Sequence, residues 1–154
     1  MFKIAMGADH RGYGLKEELK KHLKNKACGV KDYGTFKDDA AVDYPYFALK
    51  VCEAVARGGY ERGILVCGSG IGMCIAANKV PGIRAALVYS IKFTRMTARH
   101  NKPNVLCLSG STDVRKAKRM VEVWLGTVFD GGRHEKRIAM ITGIEKKYVS
   151  RGKG

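Results

Sequence analysis

The 154-residue chain has no CxxC pair, and no His or Cys pair at metal-ligand spacing. That argues against a zinc site or a redox dithiol. Its five cysteines, Cys28, Cys52, Cys67, Cys74 and Cys107, are odd in number. Residues 1–6 read as a strand rather than an export signal, so reduced thiols in a cytoplasmic setting are expected. Cys52 and Cys107 sit inside apolar patterns and read as small buried hydrophobes. Apolar runs are strand-sized, far short of the ~20 residues a membrane helix needs. No repeat, linker or low-complexity stretch interrupts the chain. One domain over residues 1–150 is expected, with 151–154 inside a frayed tail that begins at Ser150. Acidic residues are scarce, 14 against 29 Lys and Arg, for a net charge of +15. The excess favours anionic partners such as phosphorylated small molecules. No aromatic-rich strand motif or zinc finger accompanies it, so specific nucleic-acid recognition is not expected. Lys16, Lys20, Lys21, Lys24 and Lys26 read as solvated helix surface, and His22 among them as exposed.

Strand-like and helix-like segments alternate. Residues 2–6 form a short apolar strand. Leu15, Leu19 and Leu23 recur among Lys and Glu as the stripe of an amphipathic helix, which Gly29 ends. Residues 30–33 make a weaker strand before a polar loop at 34–41. Asp43 and Pro45 supply an N-cap and a first-turn proline for a helix that runs to about Arg57 and stops at Gly58-Gly59. Further strands are expected at 63–67, 83–88 and 105–108, with helices at 71–78 and 90–99 between them. Asp113 caps a helix with apolar positions Val114, Ala117, Val121, Trp124, Leu125 and Val128. After Gly131-Gly132 a last helix, 133–148, carries Ile138, Ile141 and Ile144. The alternation predicts an α/β fold: a three-layer α/β/α sandwich around a five-stranded parallel Rossmann-like sheet. Ligands of such sheets bind beyond the carboxyl ends of the strands. That rule brings residues 7–10, 67–72, 89–90 and 109–111 to one rim.

Four groups on this scaffold carry chemistry. In Cys67-Gly68-Ser69-Gly70-Ile71-Gly72, three glycines allow a tight turn with several N–H groups pointing inward. Such a loop suits a phosphate or the oxyanion of an enediolate, and the same surroundings favour a thiolate at Cys67. It lacks the GxGxxG spacing of a dinucleotide site, and a plain β–α turn with a bystander cysteine is the alternative. Asp9-His10 follows the first strand. Asp9 can orient a hydroxyl, relay a proton or simply cap the next helix; His10 can act as acid or base or bind phosphate. His100, beside Asn101, can move the proton that opens a sugar ring. Arg133 and Arg137 stand one helical turn apart and can grip one phosphate.

Together with Val42-Asp43-Tyr44-Pro45, Ile75-Ala76-Ala77-Asn78-Lys79 and Gly131-Gly132-Arg133-His134, these motifs occur in one order across residues 2–148. In that order the chain resembles the ribose-5-phosphate isomerase type B family, whose relatives include allose- and galactose-6-phosphate isomerases. The resemblance implies metal- and cofactor-free interconversion of an aldose phosphate and a ketose phosphate through a cis-enediolate. Cys67 matches the family's catalytic cysteine; some relatives use a Glu on the following helix instead. Ser69 and the backbone of Gly68, Gly70 and Gly72 would hold the negative charge. His100 would open the furanose ring with Asp9, while His10, Arg133 and Arg137 match phosphate contacts, and Tyr44 lies in a matching motif at the substrate. The family forms homodimers with both sites at the interface, so His100 and Asn101 would reach the site from a neighbouring chain; a dimer or a tetramer is expected here. Two places depart from the pattern. Ser111 stands where the family usually has an Arg that helps bind phosphate, which leaves Arg115 or a nearby Lys to replace it. The wording of residues 90–95 also differs. Ribose 5-phosphate is the expected substrate; a six-carbon sugar phosphate, a non-catalytic sugar-phosphate-binding subunit and a basic nucleotide- or RNA-binding module are the alternatives.

Overall fold

Mostly apolar runs of three to six residues, too short for helices, make four of the strands, the polar edge segment Gly29–Asp32 makes the fifth, and the longer amphipathic segments pack against them. The structure is a computed structural model that describes residues 2–26 and 28–149; the expected tail at 150–154 lies outside them. The elements are β1 (Lys3–Ala8), α1 (Tyr13–Asn25), β2 (Gly29–Asp32), α2 (Tyr44–Ala56), β3 (Arg62–Cys67), α3 (Ile71–Ala77), β4 (Ala85–Leu87), α4 (Ile91–Asn101), β5 (Val105–Ser109), α5 (Val114–Gly126) and α6 (Arg133–Val149). All strand pairs are parallel, in the order β2-β1-β3-β5-β4.

Period-two alternation divides the central strands between two cores. Ile4, Met6, Ile64, Val66, Leu106 and Leu108 pack with Leu15, Leu19 and Leu23 of α1 and Met120, Val121 and Trp124 of α5. The buried Trp124 indole donates to the Pro103 carbonyl at 3.1 Å, satisfying its one polar atom. On the other face Ala5, Leu65, Cys67, Val105 and Cys107 pack with Phe47, Val51 and Cys52 of α2 and Met73 and Ala77 of α3. Neighbouring β1 and β3 therefore send their following helices, α1 and α3, to opposite faces. This is the switch point at which open α/β sheets bind ligands, and it sets the site beside the ends of β1 and β3.

Several expectations need correction. Gly29 does not end α1, which stops at Asn25; it begins β2, opposite Lys3. β4 is shorter than 83–88, because Asn104 takes the Arg84 N–H through its side-chain oxygen at 2.8 Å just before the strand. α5 stops at Gly126; Thr127 is extended, so Val128 is 83% exposed rather than part of the apolar stripe. Asp113 caps α5 through the Lys116 N–H at 2.9 Å, whereas Asp43 occupies the α2 cap position without a side-chain bond. Lys16 is not solvated surface. It is fully buried, ion-paired with Asp32 and Glu17, and Lys20 joins the same two carboxylates. Burial by itself would raise the Asp32 carboxyl, but hydrogen bonds from Lys16, Lys20 and the Gly34 N–H outweigh it and hold the group below its ordinary value. His22 is half-buried against Glu122, 3.0 Å away. Ile141 and Ile144 of α6 stay exposed, at 51% and 61%.

Candidate active site

β3 delivers Cys67 to the switch point, and the chain then turns through Gly68-Ser69-Gly70 into α3. Gly70 has φ +80, and a Cβ there would lie 2.7 Å from Leu87 Cδ1 and 2.9 Å from the Leu108 carbonyl, so only glycine fits the turn. The turn folds the Gly70 N–H onto Cys67 Sγ at 3.2 Å, and the thiol is 4% exposed. The Ile71 N–H donates to Ser69 Oγ at 3.2 Å. From the end of β5, Ser109 Oγ donates to the Gly68 carbonyl at 2.7 Å, and the Gly110 N–H to the Cys67 carbonyl at 2.8 Å. The Tyr89 hydroxyl donates to the Ser69 carbonyl at 3.2 Å. The loop is thus clamped by the neighbouring strand ends, as the rim rule predicts.

The end of β1 stands beside it. The Asp9 N–H donates to the Val66 carbonyl at 3.2 Å, and buried Asp9 accepts the Gly12 N–H at 2.9 Å in the turn before α1, so it does not cap that helix, whose cap position is Gly12. His10 Nδ1 accepts the Val42 N–H at 3.2 Å, which leaves the ring proton on Nε2 as a free donor. Tyr44 closes the far side: a Cβ on Gly72 would lie 2.6 Å from its ring, so Gly72 is what lets the ring approach the loop. Cys67, Gly68, Ser69, Gly70, Gly72, Asp9, His10 and Tyr44 therefore come together in one chain.

His100, Asn101, Arg133 and Arg137 form a second group, at the end of α4 and the start of α6. The rings of His100 and His134 stack in parallel, 4.2 Å apart with an interplanar angle of 5°. Asp130 bonds Arg99 at 3.0 Å and stands 3.7 Å from His100 Nε2. The Arg99 guanidinium holds the Asp130 carboxyl below its usual range. Burial, with the nearby charges of His100, Arg133 and Arg137, pushes the His134 imidazole below its ordinary value. Ligand atoms of His100, Asp130 and His134 lie within 4.8 Å of one another. Parallel imidazoles hold their nitrogen lone pairs in parallel planes, however, which cannot converge on one ion without rotating a ring. The stack holds the His100 ring in place. Arg133 and Arg137 are exposed and make no ion pair among the described residues. Among the described residues no hydrogen bond or ion pair joins the two groups directly. Tyr89 links them, bonding Ser69 and lining, with His100, Asn101 and Phe93, a cavity of about 330 Å³.

Asp130, Tyr89 and Ser109 carry no motif signal, and His134 stands in the Gly-Gly-Arg-His motif without an assigned role. Cys74, on α3, is the other thiol of note: a hydrogen bond from the Cys107 thiol brings it down to about 7. Its Sγ faces the Ala85 carbonyl at 3.5 Å, on β4.

A family profile described as Ribose/Galactose Isomerase matches residues 4–141. The chain belongs to this family. Ribose-5-phosphate isomerase B of Escherichia coli K12 is 43% identical over 148 residues, 96% of this chain and 99% of that one. The structure of ribose-5-phosphate isomerase B from Clostridium thermocellum matches with a TM-score of 0.92 at 48% identity, covering 95% of this chain and 99% of its own. That of the Mycoplasma genitalium enzyme with bound ribulose-5-phosphate gives 0.91 at 42%, covering 94% and 97%. The family match spans the thiol loop and the histidine–arginine group alike, so it extends beyond the sheet. No helix among the described residues is long and apolar enough to cross a membrane.

Proposed function

We propose that the chain is an aldose–ketose isomerase that interconverts ribose 5-phosphate and ribulose 5-phosphate, with Cys67 as the base. The observation that carries this reading is the Cys67 thiol, nearly buried at the switch point and capped by the Gly70 N–H. In the aldose-to-ketose direction the Cys67 thiolate takes the proton from C2, the electron pair moves into a C1–C2 double bond, and charge develops on the substrate oxygen. Loop N–H groups and the Ser69 hydroxyl stabilise that oxyanion. The thiol returns the proton to C1 while the O2 hydroxyl proton passes to the O1 oxyanion, leaving a C2 carbonyl and a C1 hydroxyl, the ketose. Before this, His100 moves the proton that opens the furanose, with Asp9 orienting the hydroxyl. His10, Arg133 and Arg137 hold the phosphate.

This reading needs the two groups in one site, and a homodimer supplies that. Phe93, Met96, Met140, Ile141 and Ile144 are all at least 39% exposed along α4 and α6, an apolar surface suited to a second copy. Across such an interface His100 and Asn101 of one chain would complete the loop of the other. Six-carbon sugar phosphates are the second reading, favoured by the breadth of the family and by uncharged Ser111. Assaying the purified chain with ribose, allose and galactose phosphates tests both: ribose 5-phosphate is expected to have the highest kcat/KM, and preference for a hexose phosphate would overturn the assignment.

A further inference from the structure

Arg11 is held at the junction of the β1, β3 and β5 ends by close backbone contacts. A Cβ on Gly110 would lie 2.3 Å from the Arg11 carbonyl oxygen, and one on Gly12 would lie 2.3 Å from the Val66 carbonyl oxygen. The main chain at 11–12 is therefore wedged against the ends of β3 and β5. From this fixed base the side chain runs over the thiol loop: a Cβ on Gly68 would lie 3.2 Å from Arg11 Nε and 3.4 Å from Cζ. The residue is exposed, and its guanidinium has no hydrogen bond or ion pair among the described residues. Lys16 and Lys20 of the following helix α1 are committed to Asp32 and Glu17. One residue past Gly110, Ser111 is neutral and its hydroxyl is bonded to Ser109 Oγ at 2.7 Å.

An unpaired planar guanidinium, fixed at its backbone and resting on the loop that bears the proposed base, presents a fork of donors suited to a phosphate. We propose that Arg11 binds the substrate's phosphate, supplying the charge that Ser111 lacks. This rests on the isomerase reading but assigns a residue that reading does not use. The sequence offers Arg115 or a nearby Lys for that charge; Arg115 lies on α5, whereas Arg11 touches both the thiol loop and the β5 end.

The test is steady-state kinetics with ribose 5-phosphate, plus inhibition by inorganic phosphate, on the wild type, Arg11→Ala, Arg11→Lys and the double variant Arg11→Ala/Ser111→Arg. Circular dichroism confirms that each is folded. Arg11→Ala is expected to raise KM and the phosphate Ki together, by about tenfold or more, with the loss falling on KM rather than kcat. Arg11→Lys should recover part of the loss, and the double variant most of it. Unchanged KM and Ki in folded Arg11→Ala, or a loss confined to kcat, would overturn the proposal. If the wild type does not turn over ribose 5-phosphate, the isomerase reading falls instead. Calorimetric titration of wild type and Arg11→Ala with inorganic phosphate then still decides Arg11: equal affinities refute it, and weaker binding by the variant supports it.

Discussion

Replacing Asp32 with Ala leaves the Lys16 ammonium fully buried, with Glu17 as its one remaining carboxylate partner among the described residues and the Tyr13 and Phe36 rings beside it. Removing one partner of a buried ion pair costs about 3–5 kcal/mol. The remaining Glu17 contact places this variant at the lower end, about 3 kcal/mol, which for a domain of this size lowers Tm by roughly 6–12 °C. Asp32 also accepts the Gly34 N–H at 2.9 Å, so part of the loss falls on the segment whose Thr35 N–H and Gly34 carbonyl pair with Ala8 beside the rim. Acid should produce the same loss in the wild type. The Asp32 carboxyl is held below its ordinary value in the folded state. The unfolded chain therefore binds more protons between the two values, and stability rises with pH across that window. The contribution is complete above about pH 4, the ordinary aspartate value, and disappears as pH falls through the lowered one. Chemical denaturation of the wild type and Asp32→Ala at pH 7 and pH 3 measures this. The gap between the two should narrow in acid, and the apolar pair Lys16→Met/Asp32→Leu should recover most of the stability at pH 7. A loss below about 1 kcal/mol at pH 7, the scale of an exposed pair, would refute the buried-charge argument.

Two further predictions concern the site. Gly70→Ala places a Cβ against the Leu108 backbone at a φ of +80, so the loop must shift and the Cys67 thiol loses its N–H; turnover should fall about a hundredfold in a folded protein, read by steady-state kinetics. His100→Ala should slow ribose 5-phosphate by about a hundredfold yet spare a tetrose 4-phosphate, which cannot close a furanose ring because O4 carries the phosphate; His134→Ala, which removes the stacked ring, should move the same ratio in the same direction.

The sheet was legible because every strand but the polar β2 is a short apolar run between turn signals, and the switch-point rule then placed four segments on one rim. The bonds from Ser109, Gly110 and Tyr89 into the thiol loop bear this out. What escaped were partnerships across distance. Lys16 and His22 look like ordinary surface of a basic helix, and only the fold brings Asp32 and Glu122, the latter 100 residues from His22, against them. Helical spacing put Arg133 and Arg137 on one face without revealing what that face confronts. The same limit hid the His100–His134 stack, whose members are distant in sequence, and the exposure of Ile141 and Ile144 on α6. Arg11 reads as one more basic residue, because the backbone wedge at Gly110 that aims it over Gly68 leaves no periodic signal.

Solvent proton exchange during turnover, comparing wild type, Cys67→Ala and Cys74→Ser, tests the central claim most directly. In deuterium oxide, nuclear magnetic resonance should show the wild type converting ribose 5-phosphate to ribulose 5-phosphate with deuterium entering at C1. Cys74→Ser, despite losing the thiol brought down to about 7, should do the same, because that sulfur faces Ala85 rather than the rim. Folded Cys67→Ala should show neither conversion nor exchange. Conversion by Cys67→Ala at near wild-type rate, or its loss in Cys74→Ser alone, would contradict the assignment of the base.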